Sequence, residues 1–154
     1  MRLLLLVLAL AAAASPQVEK VAIRTTGISC GLCAGLSEYY FKRLDGVDKV
    51  TISLAKEAIT LTYKPGAAFD PAAIRRILKS MEVGVVQFQI NAQGRVQIQG
   101  SDQGGKRFFV AGKNRFAMAA AANAPPVGTP VSIEAIVNDG LTPMEVKILN
   151  FKPL

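Results

Sequence analysis

Cys30 and Cys33 are the only cysteines in a 154-residue chain that has no histidine. They sit in the run Gly27-Ile28-Ser29-Cys30-Gly31-Leu32-Cys33, where an alternating stretch gives way to a helical one. The spacing places one thiol just before a helix and the other in its first turn, with both sulfurs on one side. A helix N-terminus carries unpaired amides and positive potential, and both favour thiolate over thiol. A thiolate pair is a soft ligand set, suited to Cu(I) and, by the same softness, to Hg(II) or Cd(II). Structural zinc normally takes four ligands, which this pair alone does not supply. The residues leave two other uses open: reversible thiol–disulfide chemistry, and a static disulfide closing a very short loop. Without histidine, His-based metal sites and Ser-His or Cys-His catalysis are excluded.

The flanking elements have to hold this loop. Residues 18–26 alternate, with Val21 and Ile23 on one face, which predicts a strand that Gly27 breaks. From Gly31 to Leu44, the residues Cys33, Leu36, Tyr40 and Leu44 form a helical apolar stripe, so Tyr40 is expected in the core. Asp45-Gly46 ends that helix. Val50, Ile52 and Leu54, then Ile59, Leu61 and Tyr63, predict two strands joined at Ala55–Ala58. Asp70-Pro71 starts a second helix, with Asp70 as cap and Ile74, Ile77, Leu78 and Met81 along its apolar face. Val85–Ile90 follows as a strand. The order over residues 18–90 is β-α-β-β-α-β, the split βαβ or ferredoxin-like arrangement.

Residues 92–154 read differently. Strands are expected at Arg95–Gln99, Lys106–Ala111, Val131–Asn138 and Met144–Phe151. Turns are expected at Asn91–Gly94, Gln103–Gly105 and Asn138–Gly140, and one helical turn at Ala117–Ala122. Val85–Gly100 could form a hairpin shared with the first part. Several short strands without another long helix predict a small all-β, OB-like barrel. Phe108, Phe109 and Phe116 are assigned to its core. The fold class is thus α+β: a ferredoxin-like βαββαβ domain over residues 17–91, then a small β-barrel-like domain over residues 92–154.

The loop Gly27–Cys33 resembles the glycine–hydrophobe–Thr/Ser–Cys-x-x-Cys loop of the heavy-metal-associated domain family. That family includes copper chaperones, the N-terminal domains of copper-pumping ATPases and the periplasmic mercury-binding protein. The resemblance extends through Leu44–Val47, Val50–Leu54, Ile59–Tyr63 and Asp70–Leu78. It implies that Cys30 and Cys33 are the metal ligands and that Gly27 permits the tight loop. It also implies that Ile28, where the family usually has Met, plugs the loop into the core, and that Ser29 supports the loop by backbone hydrogen bonding. Val85 stands where bacterial copper chaperones usually carry Tyr. Met81 and Met118 are assigned to core packing rather than to a third ligand position.

The chain is 51% hydrophobic and carries a formal charge of +7, one unit of which is Arg2. Its basic residues are scattered, whereas a nucleic-acid binder would gather them with aromatics on one face. Met1-Arg2, the apolar run Leu3–Ala14 and the small residues up to Ser15 predict a cleavable export signal over residues 1–15. The expected product is a periplasmic or secreted protein without stable membrane insertion. Taken together, these features predict a carrier or scavenger of a soft metal ion, Cu(I) first and Hg(II) second. It would exchange the ion with a metal-donor or metal-acceptor protein and would not be an enzyme. A thiol–disulfide oxidoreductase or redox sensor, and an interaction scaffold with incidental thiols, are the alternatives.

Overall fold

A computed structural model of the chain describes residues 15–101, 104–121 and 123–154. The expected export signal lies outside the described residues but for Ser15. No helix among the described residues is long and apolar enough to cross a membrane.

The chain runs β1 (Gln17–Thr26), α1 (Gly31–Phe41), β2 (Val47–Ser53), β3 (Ala58–Tyr63), α2 (Pro71–Ser80) and β4 (Gly84–Gln99). It continues through β5 (Lys106–Ala111), β6 (Asn114–Met118), β7 (Val131–Asn138) and β8 (Glu145–Pro153). The first six elements form the ferredoxin-like arrangement, with sheet order β2-β3-β1-β4 and all neighbours antiparallel. Val21 and Ile23 of β1, Ile59 and Leu61 of β3, and Phe88 and Ile90 of β4 turn to one face and are buried. Both helices contribute to the same buried cluster, through Phe41 of α1 and Ile74 and Leu78 of α2. The α2 start is as its sequence dictates: Asp70 Oδ1 accepts the Ala73 N–H at 3.1 Å, and Pro71 occupies the first turn.

Helix α1 differs from its expected stripe. Its inward residues are Ser37 and Phe41, with Cys33 half-buried, whereas Tyr40 is 45% exposed and Leu36 42%. Ser37 can face the core because its hydroxyl donates to the Cys33 carbonyl oxygen at 2.8 Å. A satisfied hydroxyl does not carry the penalty of a bare one. Past Phe41 the helix tightens into three-residue bonds, Arg43 N–H to Tyr40 O and Leu44 N–H to Phe41 O, so it stops short of Leu44.

The largest departure from the sequence reading is β4. Asn91–Gly94 is not a turn, and Val85–Gly100 is not a hairpin; one 16-residue strand runs straight through both. Residues up to Gln93 pair with β1, Phe88–Gly94 pair with β7 on the other side, and Arg95–Gln99 pair with β5. The polar residues of 91–94 lie on alternate positions of a paired strand, so their backbone groups are satisfied by neighbours rather than by a turn. The ladder then closes. β5 pairs with β6, β6 runs parallel to β8, β8 pairs with β7, and β7 returns to β4. Phe109, Phe116, Val131, Ile133 and Val146 are buried in the same contiguous cluster as the residues under the helices. Ala117–Ala122 is not a helical turn where it is described: Ala117 and Met118 end β6, because Phe116 and Asn114 are buried on alternate positions.

Side chains tie the first six elements to the remaining four. The buried Asn114 carboxamide donates to the Phe69 carbonyl oxygen at 2.9 Å and accepts the Phe69 N–H at 2.8 Å. Arg75 of α2 grips Asp139 after β7 with two hydrogen bonds, of 2.5 and 2.8 Å. That guanidinium holds the Asp139 carboxyl below the usual carboxylate range. A carboxyl depressed in the fold adds stability above its unfolded pKa, and loses it as pH falls through the folded value. Asp139→Asn is therefore expected to lower stability by about 0.5–1 kcal/mol near neutral pH, since Arg75 is half in solvent. The gap to wild type should shrink as pH drops below about 4. Urea melts of both proteins between neutral and acid pH check this.

Candidate metal centre

The loop Gly27–Cys30 leaves the end of β1 and enters α1. Gly27 sits at φ +87°, so a side chain is disfavoured there by the backbone, although a Cβ would meet the Glu82 carbonyl oxygen only at an ordinary contact distance of 3.4 Å. Ile28 is fully buried and anchors the loop as expected. Thr25, just upstream, bonds the Glu57 carbonyl oxygen through both its N–H and its hydroxyl, at 2.8 and 2.9 Å. This pins the β2–β3 turn beside the end of β1.

Cys30 is the N-cap of α1. Its backbone is extended, at φ −122° and ψ 147°, and its sulfur accepts the Cys33 N–H at 3.1 Å. The role expected of Ser29 thus falls one residue later. Ser29 is exposed, and its side chain makes no hydrogen bond among the described residues, because the cap position belongs to Cys30. Cys30 is exposed and Cys33 half-buried, with Cα atoms 5.3 Å apart, and the two sulfurs are joined in a disulfide. Two-electron reduction would turn this bridge into two thiols at a helix N-terminus. Among the described residues, no group of three or more Cys, Asp or Glu side chains is gathered to hold a metal. Only the reduced pair would offer two thiolates, a donor set that suits a soft ion of low coordination number.

The surroundings are apolar but open. Leu32, between the cysteines, is 75% exposed, and Leu36, Tyr39 and Tyr40 continue an exposed apolar surface along α1. Met81 belongs to the packing as expected: it is half-buried, with its sulfur 3.5 Å from Ser37 Oγ, one turn beyond Cys33. Met118 also packs against the core. A cavity of about 450 Å³ opens at the other pole, lined by Leu44, Gly46, Tyr63, Asp70 and Lys113 and remote from both cysteines. Burial and the nearby Asp70 carboxylate push the Tyr63 hydroxyl pKa up.

No protein-family model matches the chain. A copper-exporting P-type ATPase of Staphylococcus saprophyticus is 34% identical over 61 residues, 40% of this chain and 8% of that protein. Residues 18–90 resemble a heavy-metal-associated domain. A probable copper-exporting P-type ATPase of Archaeoglobus fulgidus is 28% identical over 86 residues, 56% of this chain and 10% of that protein. The chain thus matches a tenth or less of the length of these curated relatives. Among solved structures, a CopZ metallochaperone aligns with a TM-score of 0.40 and 19% identity, over 44% of this chain and 98% of that one. A copper-binding domain from HMA7, a P-type ATPase, aligns with a TM-score of 0.39 and 17% identity, over 46% of this chain and 96% of that one.

Proposed function

We propose that this protein is a Cu(I) carrier whose cargo is held by the Cys30 and Cys33 thiolates. The observation that carries the reading is a pair of sulfurs at the N-terminus of α1, one of them capping the helix. The similarity to two copper-exporting ATPases supports copper over mercury as the cargo. Hg(II), which favours the same two sulfurs, is the competing ion. Transfer is ligand exchange: a partner's thiolate enters the open coordination position, a three-coordinate species forms, and one of the two cysteines lets go. No bond of an organic substrate changes, so the activity is not enzymatic. The partner is a metal-donor or metal-acceptor protein that would dock on the exposed Leu32, Leu36 and Tyr40 beside the site.

In this reading residues 1–15 export the chain to the periplasm or out of the cell. The ferredoxin-like unit, 17–91, carries the metal loop. The remainder, 92–154, completes with β4 an OB-like barrel, a reading supported by the closed five-strand pairing.

The disulfide gives a second reading its footing. A bridged Cys30–Cys33 pair in an oxidising compartment is also the resting form of a thiol–disulfide oxidoreductase or redox sensor. One experiment separates the two. An anaerobic Cu(I) titration against a competing chelator is expected to show one tight equivalent for the reduced protein and none for the oxidised form. Weak binding by the reduced protein, together with turnover of a dithiol substrate, would overturn the carrier reading in favour of the redox one.

A further inference from the structure

The cavity away from the cysteines lies on the seam between the first six elements and the last four. The turn after α1, the end of β3 and the loop into α2 supply most of its wall, and the β5–β6 turn adds Lys113. Three hydrogen bonds of 2.8 Å fix that wall: Lys64 N–H to the Gly46 carbonyl oxygen, Gly66 N–H to Gln17 Oε1, and Phe69 N–H to Asn114 Oδ1. Gly66, Ala67, Ala68 and Ala73 face it with little or no side chain, and the space they leave is about 450 Å³. A preformed cavity of that size suits a small ligand.

Tyr63 says what kind. It is only 7% exposed, yet its hydroxyl has no hydrogen-bond partner among the described residues. A buried tyrosine hydroxyl usually finds one. Among the described residues, the side-chain polar atom that is both sealed off and unpartnered is Gln93 Oε1, so the Tyr63 hydroxyl opens on the cavity that Tyr63 lines. The Asp70 carboxylate is close enough to push that hydroxyl's pKa up. Asp70 gives Oδ1 to the Ala73 N–H and keeps its other oxygen for a ligand. A protonated hydroxyl beside a carboxylate is a seat for an ammonium group, which can donate to both. Asp45 adds a second carboxylate to the same wall. Lys64 and Lys113 are exposed on it, and they would repel a ligand that was only a cation. A carboxylate on the same ligand turns that repulsion into pairing.

We infer that this cavity binds a small zwitterion, a free α-amino acid, with its ammonium against Tyr63 and Asp70 and its carboxylate toward Lys64 and Lys113. The inference does not depend on what Cys30 and Cys33 hold.

The test titrates the full mature chain with each common amino acid in turn, by calorimetry. For the tightest one, the amine without its carboxylate and the acid without its amine are the competing arms. At least one amino acid should bind with a Kd below about 1 mM. Asp70→Asn keeps a good helix cap but loses the charge, and should weaken binding about tenfold or more. Tyr63→Phe should weaken it about three- to tenfold. Glu145→Gln, the same charge change on β8, should alter it about twofold at most. Cys30→Ser should bind as wild type does, so failure of the metal assignment leaves this one standing. Circular dichroism of each variant shows whether the fold is kept. No amino acid binding below about 1 mM, folded Tyr63→Phe and Asp70→Asn proteins that bind as wild type does, or an amine or acid analogue as tight as the amino acid would each overturn the assignment.

Discussion

Cys30→Ser is expected to abolish tight Cu(I) binding while leaving the fold as stable as the reduced wild type. The fold survives because serine is itself a preferred N-cap. Its oxygen can accept the Cys33 N–H that the Cys30 sulfur accepts now, from a residue already in the extended conformation a cap requires. Cys33→Ser should fold as well, since the bond from Ser37 reaches the backbone carbonyl of residue 33, which the substitution keeps. Binding has no such reserve. Loss of a group that merely hydrogen-bonds a ligand costs about ten- to hundredfold in metal affinity, so removing one of the two proposed ligands should exceed about a hundredfold. Competition titration of the reduced variants, with thermal melts alongside, checks both halves. A Cys30→Ser protein that held Cu(I) within about tenfold of wild type would place the metal elsewhere.

Gly94→Ala is the structural counterpart, with an expected cost of about 3 kcal/mol or more, at the upper end for overpacking. Gly94 is where β4 gives up β7 and takes on β5. A Cβ there would lie 2.8 Å from the Val110 carbonyl carbon, closer still to its oxygen, and 3.0 Å from Phe109 Cζ. Two of these three are backbone atoms of a paired strand, which cannot turn aside as a flexible side chain would. Gly35→Ala is the control: the added methyl meets nothing within 4 Å on a helix, so it should be neutral or stabilising. Urea unfolding should show a lower midpoint for Gly94→Ala with an unchanged slope. A loss below about 1 kcal/mol, under the usual range of overpacking costs, would mean that β4 can move away from β5.

Those two positions also show what the sequence could and could not reveal. The cysteine loop was legible because its residues act locally: Gly27 turns the chain, Ile28 plugs the core, and Cys30 caps the helix that follows. The ferredoxin-like order was legible because Val21 and Ile23, or Ile74 and Leu78, repeat at the period of their element. Residues 91–94 were not. Asn and Gly favour turns in isolation, and only pairing on both edges, made by strands far along the chain, turns Asn91 and Gly94 into mid-strand residues. The alternation from Phe88 through Ile90 and Ala92 to Val96 was the available signal, but the turn propensities masked it. Helix α1 departs from its apolar stripe for a related reason. Tyr40 and Phe41 are adjacent and both aromatic, and which of them turns inward depends on Ser37, whose buried hydroxyl is satisfied within its own helix.

The continuity of β4 has a mechanical consequence. A binding loop on a flexible tether samples a volume set by the length of the tether, and can swing to meet a partner at high local concentration. Here the strand that closes the ferredoxin-like sheet is the same strand that opens the ring, and no linker residue separates them. The cysteine pair therefore has a fixed bearing with respect to the ring. Whatever the ring holds would set the direction in which Cys30 and Cys33 are presented, and a partner would have to approach from that side.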